Sequence, residues 1–268
     1  MSPDPEHPGF IDQFSRVSAD YARFRPRYPR ELFAWVASLV DRHALAWDCA
    51  TGNGQAAIGL AEDFAHVEAT DASAEQLRHA MPHERITYRQ AQADASGLDA
   101  ASADAVTVAQ ALHWLPHDRF YGEVRRVLAP GGVFVAWGYH LPGIGVPSVD
   151  AAMEHFHDHV VGPYWRPERQ YVVQRLRTLP FPFAEIDAPT TFEVHLPMSL
   201  ATFGDFLRTQ SATERYRDVK GEDPVPAFQA RVVDAWGGSD KVQDVVWPIF
   251  IRAGRLAGSD PAKHRLHP

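Results

Sequence analysis

The chain has 268 residues, of which 45% are hydrophobic and 22% charged, a composition that excludes a disordered polymer and leaves room for one large α/β domain with insertions or two small domains. A formal net charge of -8, with no block of Lys or Arg, argues against a polyanionic partner such as nucleic acid. The single cysteine, Cys49, excludes an intramolecular disulfide and leaves too few thiolates for a zinc–thiolate site.

The opening residues, MSPDPEHPGF, carry neither a basic nor an apolar stretch of the secretory kind, and no apolar run approaches the roughly 18 residues needed to cross a bilayer. A cytoplasmic location is the expectation. From Pro29 to about Tyr139 helical and strand patterns alternate, which predicts a parallel sheet covered on both faces. Leu32, Phe33, Val36, Leu39 and Val40 fall at helical spacing and form a first amphipathic helix. A strand at Leu45–Cys49 runs into the loop Ala50–Gly54 and a helix opened by Gln55. Further strands are expected at His66–Thr70, Ile86–Arg89, Ala105–Ala109 and Val133–Trp137. Ser73 with Gln76 three residues on reads as a capping box. Phe120, Val124, Val127 and Leu128 place a helix that Pro130-Gly131-Gly132 should stop. Beyond Tyr139 a proline-rich passage leads to helices near Val149–Val161 and Gln170–Thr178. Two last strands, Phe192–Leu196 and Val245–Ile251, enclose a mainly helical stretch from Leu200 to Trp236 that reads as a cap over the sheet's carboxyl edge.

The chemistry concentrates at strand ends. Asp48-Cys49-Ala50-Thr51-Gly52-Asn53-Gly54 closes the first strand with glycines that let backbone approach a ligand. Its leading carboxylate suits a ligand carrying an ammonium and a sulfonium and would repel a pyrophosphate. Asp71 ends the second strand, 19 residues after Gly52, where a carboxylate can accept from both hydroxyls of a ribose. Ala93-Asp94-Ala95 follows the third strand, placed for an adenine amine, and Gln110 to Trp114 follows the fourth. Gly52, Gly54 and Ala57 also satisfy G-x-G-x-x-[GA], so an NAD(P)-dependent oxidoreductase is the rival reading. A non-catalytic nucleotide-binding protein of the same fold is the second.

The run Trp47 to Gln55, with Val67 to Asp71, Ala109 to Trp114 and the helix-PGG-strand passage Val124 to Trp137, resembles the class I S-adenosylmethionine-dependent methyltransferases. Tyr21 to Pro29, Tyr164 to Arg169, Gln210 to Tyr216 and Trp247 to Arg252 resemble one branch of them, the trans-aconitate-methyltransferase-like enzymes that act on small molecules. The resemblance implies a Rossmann-like, seven-stranded, mostly parallel sheet whose last strand is antiparallel and pairs with its predecessor as a hairpin. Helices would cover both faces, under a mainly helical cap. Residues 1–29 would form a lid. The core would comprise 30–140, 180–199 and 240–256, and 141–179 with 200–239 would form the substrate-side helices and cap. S-adenosylmethionine would lie with its methionine end on Asp48, Gly52 and Gly54, its ribose on Asp71 and Ala72, and its adenine on Asp94 and Ala95. Gln110 and Trp114 would flank the reactive methyl.

Methyl transfer is an in-line displacement, so alignment and exclusion of water matter more than a catalytic dyad. His113 is the titratable candidate at the fourth strand end, either as a hydrogen-bonded positioning residue or as a general base. Arg25 and Tyr28 would clamp an acidic acceptor, with O-methylation of a carboxylate as the expected reaction. Trp165, Arg169, Ser211 and Tyr216 are weaker candidates of the same kind. His155 and His159 share a helix face while His157 points elsewhere, and without an evident third ligand no metal is expected.

Overall fold

The computed structural model describes residues 28–256 of the chain. Helix α1 (Arg30–Ser38) begins behind the extended Pro29 and buries Leu32, Phe33, Val36 and Ala37. There follow β1 (Leu45–Cys49), α2 (Gln55–Leu60), β2 (His66–Asp71), α3 (Ala74–Arg78), β3 (Ile86–Gln90), β4 (Ala103–Ala109), α4 (His117–Val127) and β5 (Leu128–Tyr139). The second half supplies α5 (Pro147–His155), α6 (Arg169–Val173), β6 (Ala184–Ile186), β7 (Glu193–Met198), α7 (Leu200–Arg208), α8 (Ser211–Lys220), α9 (Val225–Trp236) and β8 (Gln243–Arg255). The sheet runs β3-β2-β1-β4-β5-β8-β6, parallel through β5 and antiparallel at β8 and β6. The order therefore reverses between β1 and β4, and in such sheets ligands bind in the crevice outside the carboxyl ends at that point.

Strand alternation assigns side chains to two layers. Val133, Val135 and Trp137 of β5 face α1, α2 and the cap helices, while Phe134 and Ala136 face Phe120, Tyr121 and Val124 of α4. Both faces are covered, which is why β4 and β5 are apolar almost throughout. One polar chain fastens the far end of β1: Asp104 accepts from the backbone N–H groups of Ala44 and Leu45 at 2.7 and 3.1 Å and pairs with Arg42 at 2.6 Å. Helices α5, α7 and α9 meet through Phe156, Phe203, Phe228 and Trp236, whose rings lie 5.4–6.0 Å apart.

Four details depart from the sequence reading. The sheet has eight strands rather than seven, because the position outside β8 is divided between β6 and β7. Val246 bridges Gly143 on one side and His195 on the other, so β7 lies on the same side of β8 as β6. Pro189, between them, has no N–H for a ladder bond, and the strand breaks there. Helix α4 stops at Val127, ahead of Pro130, and Leu128 already belongs to β5. Pro130-Gly131-Gly132 instead forms an excursion inside β5, where the register jumps from Ala103↔Leu128 to Ala105↔Val133. The expected Gln170–Thr178 helix shortens to α6, with Arg175 and Leu176 at φ +52° and +61° ending it. Finally, α5 continues into a wider π turn over Phe156–Val160 that turns His157 into the core and leaves His155 and His159 outside. Among the described residues no helix is long and apolar enough to cross a membrane.

Candidate active site

The loops after β1, β2, β3 and β4 and the end of β5 converge on the carboxyl edge of the sheet. Ser73 caps α3 by accepting from Gln76 N–H, as its spacing implied. Its own N–H donates to Asp71 Oδ1 at 2.8 Å, while Gly52 N–H donates to Asp71 Oδ2 at 2.8 Å. The carboxylate at the tip of β2 is thereby fixed beside the glycine loop. Gly52 and Gly54 adopt φ +59° and +86°, a region that side chains rarely enter. The nearest atom to a Cβ built on Gly52 is Gln76 Oε1 at 3.8 Å, so the missing side chain leaves a cradle. At Gly54 the same atom would fall 2.8–2.9 Å from ring carbons of Tyr88, whose buried hydroxyl makes no hydrogen bond and is pushed up to about 12 by desolvation.

Asp48 is placed differently from the sequence expectation. It is 0% exposed and lies behind the loop, where Oδ2 accepts from Thr51 Oγ1 at 2.5 Å and Oδ1 from Thr107 Oγ1 at 2.9 Å. Burial raises its carboxyl to about 6, against the lowering effect of the two hydroxyls. It stays ionised at neutral pH, so it shapes the loop and contributes negative potential without reaching the crevice. Thr107, a hydroxyl in the apolar run of β4, meets Asp48 only because β1 and β4 are paired.

Asp94 is partly buried and pairs with Arg119 Nε at 3.1 Å. Its loop is tied down from behind: Glu123 accepts from Ser96 N–H at 2.8 Å and Ser96 Oγ at 2.5 Å and pairs with Arg126 at 2.7 Å. Ala95 is exposed and donates to Gln92 O, while the carbonyl of Ala72 accepts from Gln90 Nε2 at 2.9 Å. Gln110 sits at φ +57° and donates through Nε2 to Tyr139 O at 3.2 Å. Ala50, at the neighbouring strand end, has φ +55°. Two non-glycine residues in this region cost about 1–3 kcal/mol each and mark a backbone held in place by its surroundings.

His113 is 8% exposed, with its ring 4.7 Å from that of Trp114 at a tilt of 43°, and is held neutral. Burial above all, with lesser contributions from Arg169 and His117, lowers it to about 3. Tyr28 packs edge-on against Trp137 at 5.5 Å and 89°, with Phe33 and Tyr139 at 6.4 and 6.5 Å. Its ring therefore walls the end of β5. Arg25 lies outside the described residues. One group escaped the sequence reading: His140, directly after β5, whose ring lies 4.8 Å from that of His157 at a tilt of 51°. Arg169, a candidate from the sequence, lies over the Trp165 ring at 4.6 Å. Among the described residues no cluster of three or more His, Cys, Asp or Glu could hold a metal ion.

Over 257 residues the chain is 30% identical to a protein of Dictyostelium discoideum described as a methyltransferase, covering 93% of this chain and 97% of that one. A solved structure from Anaeromyxobacter dehalogenans, described as a type II methyltransferase, shares 43% identity and a TM-score of 0.82 over 87% of this chain and 98% of that one. The chain belongs to the class I methyltransferases. The family description "Methyltransferase domain" matches residues 47–136 of this methyltransferase, from β1 into β5. The methyltransferase cfoB of Aspergillus candidus is 27% identical over 204 residues, 65% of this chain and 64% of that one. Such membership makes the chain an S-adenosylmethionine-dependent enzyme and does not favour the nicotinamide reading. The site fits that donor: a fixed carboxylate at the tip of β2, a cradle at Gly52 and a second, buried carboxylate behind the loop suit a positively charged adenosyl compound better than a diphosphate.

Proposed function

We propose that this methyltransferase acts on a small organic acceptor, and that it O-methylates a carboxylate. The observation that carries the small-molecule reading is the burial of His113. This residue stands at the β4 tip, where the methyl must face, and the turn bearing it packs against α6. A macromolecular acceptor would need that side open. The carboxylate reading draws on the branch resemblance and on proton bookkeeping. An imidazole at about 3 is a weak base, and a carboxylate arrives deprotonated and requires none.

In this reading Asp71, backed by Ala72, would accept from the ribose hydroxyls, and Asp94 with Ala95 would meet the adenine edge. The loop at Gly52 and Gly54, shaped from behind by Asp48, would hold the methionine end. Gln110 and Trp114 would flank the methyl, with His113 as a positioning residue and Tyr28 as a wall. Arg25 is assigned to the acceptor from sequence alone. Residues 1–29 are assigned as a lid from sequence alone, 1–27 lying outside the described residues, while 141–179 and 200–239 would close the acceptor side over a core of 30–140, 180–199 and 240–256. When bound, S-adenosylmethionine supplies an electrophilic methyl: the acceptor's lone pair bonds the carbon while the carbon–sulfur electrons stay on sulfur. The chain's own groups align the acceptor and keep water away.

Calorimetry with S-adenosylmethionine, S-adenosylhomocysteine and NAD tests the donor. Binding of the first two and none of the third is expected, and the reverse would restore the oxidoreductase. Labelled methyl transfer to a panel of metabolites, sorted by charge, then tests the acceptor class; label confined to protein or RNA would defeat it.

A further inference from the structure

Gln110 keeps a left-handed backbone, φ +57°, directly after β4, the strand that borders the reversal of the sheet order. Its N–H donates to Trp137 O at 2.8 Å, one step beyond the Ala109↔Trp137 pair of the β4–β5 ladder. The side chain then lies along the end of β5. Nε2 donates to Tyr139 O at 3.2 Å, and Oε1 would fall 2.9 Å from a Cβ built on Gly138. That Cβ would also meet Phe250 Cζ at 2.7 Å, so the amide passes here because residue 138 is a glycine. The carbonyl of Tyr139 can only accept, which makes its neighbour the NH2 end and settles the orientation of the amide. Oε1 is left without a donor among the described residues, and it is not one of the unpartnered atoms sealed in the core. It therefore opens on the carboxyl edge of the sheet.

Charge decides what that oxygen can meet. It is a partial negative charge held at the tips of β4 and β5, the side toward which a methyl has to point to be transferred. A carboxylate acceptor brings no hydrogen-bond donor to it and would be repelled. A methyl on a sulfonium is its complement, because the positive charge spreads onto the methyl hydrogens and strengthens C–H···O contacts. S-adenosylhomocysteine keeps the adenine, the ribose and the amino-acid end but has lost the methyl and the charge. The same oxygen offers that product nothing.

We propose that Gln110, its amide fixed by Tyr139 O over Gly138, is the specificity-determining residue that tells donor from product: Oε1 holds the sulfonium methyl and releases the uncharged thioether. This rests on the donor reading above. It assigns an atom and a consequence to a residue that strand position alone had set beside the methyl.

The experiment titrates the full chain calorimetrically with S-adenosylmethionine and with S-adenosylhomocysteine, in the wild type and two variants. Gln110→Met keeps the length of the side chain and removes the amide. It should weaken S-adenosylmethionine about three- to tenfold and leave S-adenosylhomocysteine within about twofold. The unchanged product affinity shows at the same time that the variant is folded and that the rest of the site is intact. Gln110→Glu keeps an oxygen in place and should hold the ratio of the two affinities at or above its wild-type value. Parallel weakening of both ligands in Gln110→Met, or no change in either, overturns the proposal. So does a Gln110→Glu variant that loses S-adenosylmethionine as Gln110→Met does. Failure of the wild type to bind either ligand would instead remove the donor reading, and this proposal with it.

Discussion

At the scale of single residues, Asp71 does two things with one carboxylate: it anchors the glycine loop through Gly52 N–H and the turn to α3 through Ser73 N–H. Asp71→Asn keeps the size and one acceptor oxygen but turns an NH2 toward one of those N–H donors. Loop and ligand contact should both suffer, and the dissociation constant for S-adenosylhomocysteine should rise by about 1–3 kcal/mol, roughly ten- to a hundredfold. Calorimetry reads this directly, and an unchanged constant would take Asp71 out of the ligand site. Asp71 was legible in the sequence because its role follows from a local spacing, one strand after the glycine loop. The true setting of Asp48 was not, because its partner Thr107 lies on a different strand and the pairing exists only once β1 and β4 are side by side. His140 was hidden for the same reason: its contact with His157, beyond the end of β5, is tertiary.

At the scale of elements, the first five strands and their helices were readable because each repeats one apolar period and ends at a glycine, proline or cap. Short β6, with three residues and two exposed positions, offers no such pattern and was missed. The link between α4 and the loop bearing Asp94 makes a testable case. Glu123 is lowered to about 2 from its ordinary 4.5, first by the hydrogen bonds of Arg126 and then by Ser96, against an upward push from burial. The folded value lies below the unfolded one, so this contact stabilises fully above about pH 4.5 and is lost as the pH falls toward about 2. Asp48 works in the opposite sense: its folded value is raised to about 6 from 3.8, so stability declines as the pH rises through that interval. Comparing wild type with Glu123→Gln cancels the Asp48 contribution. In urea titrations the variant should be weaker at pH 7, and the gap should close below pH 4.5; parallel curves would show that the contact carries no such linkage.

At the scale of the molecule, the face of the sheet that carries Val133, Val135 and Trp137 shares one continuous apolar cluster with Val149 and Phe156 beyond β5 and with Phe203, Phe228 and Trp236 of the cap. Helices that bury their apolar stripe only against this common core have no second core to fold around. Sheet and cap should therefore unfold together, in one cooperative transition. Near-ultraviolet circular dichroism follows the packing of buried Trp137, Trp236 and Trp247, and the far-ultraviolet signal follows the backbone, so the two urea curves should coincide. Phe203 is 2% exposed and touches Phe206, Phe228 and Trp236, so Phe203→Ala should cost about 3–5 kcal/mol. Because the cluster is shared, that loss should move both curves equally although the substitution lies in the cap alone. A near-ultraviolet transition that precedes the far-ultraviolet one, in the variant or the wild type, would mean that the helices over the acceptor side fold and open as a unit apart from the sheet.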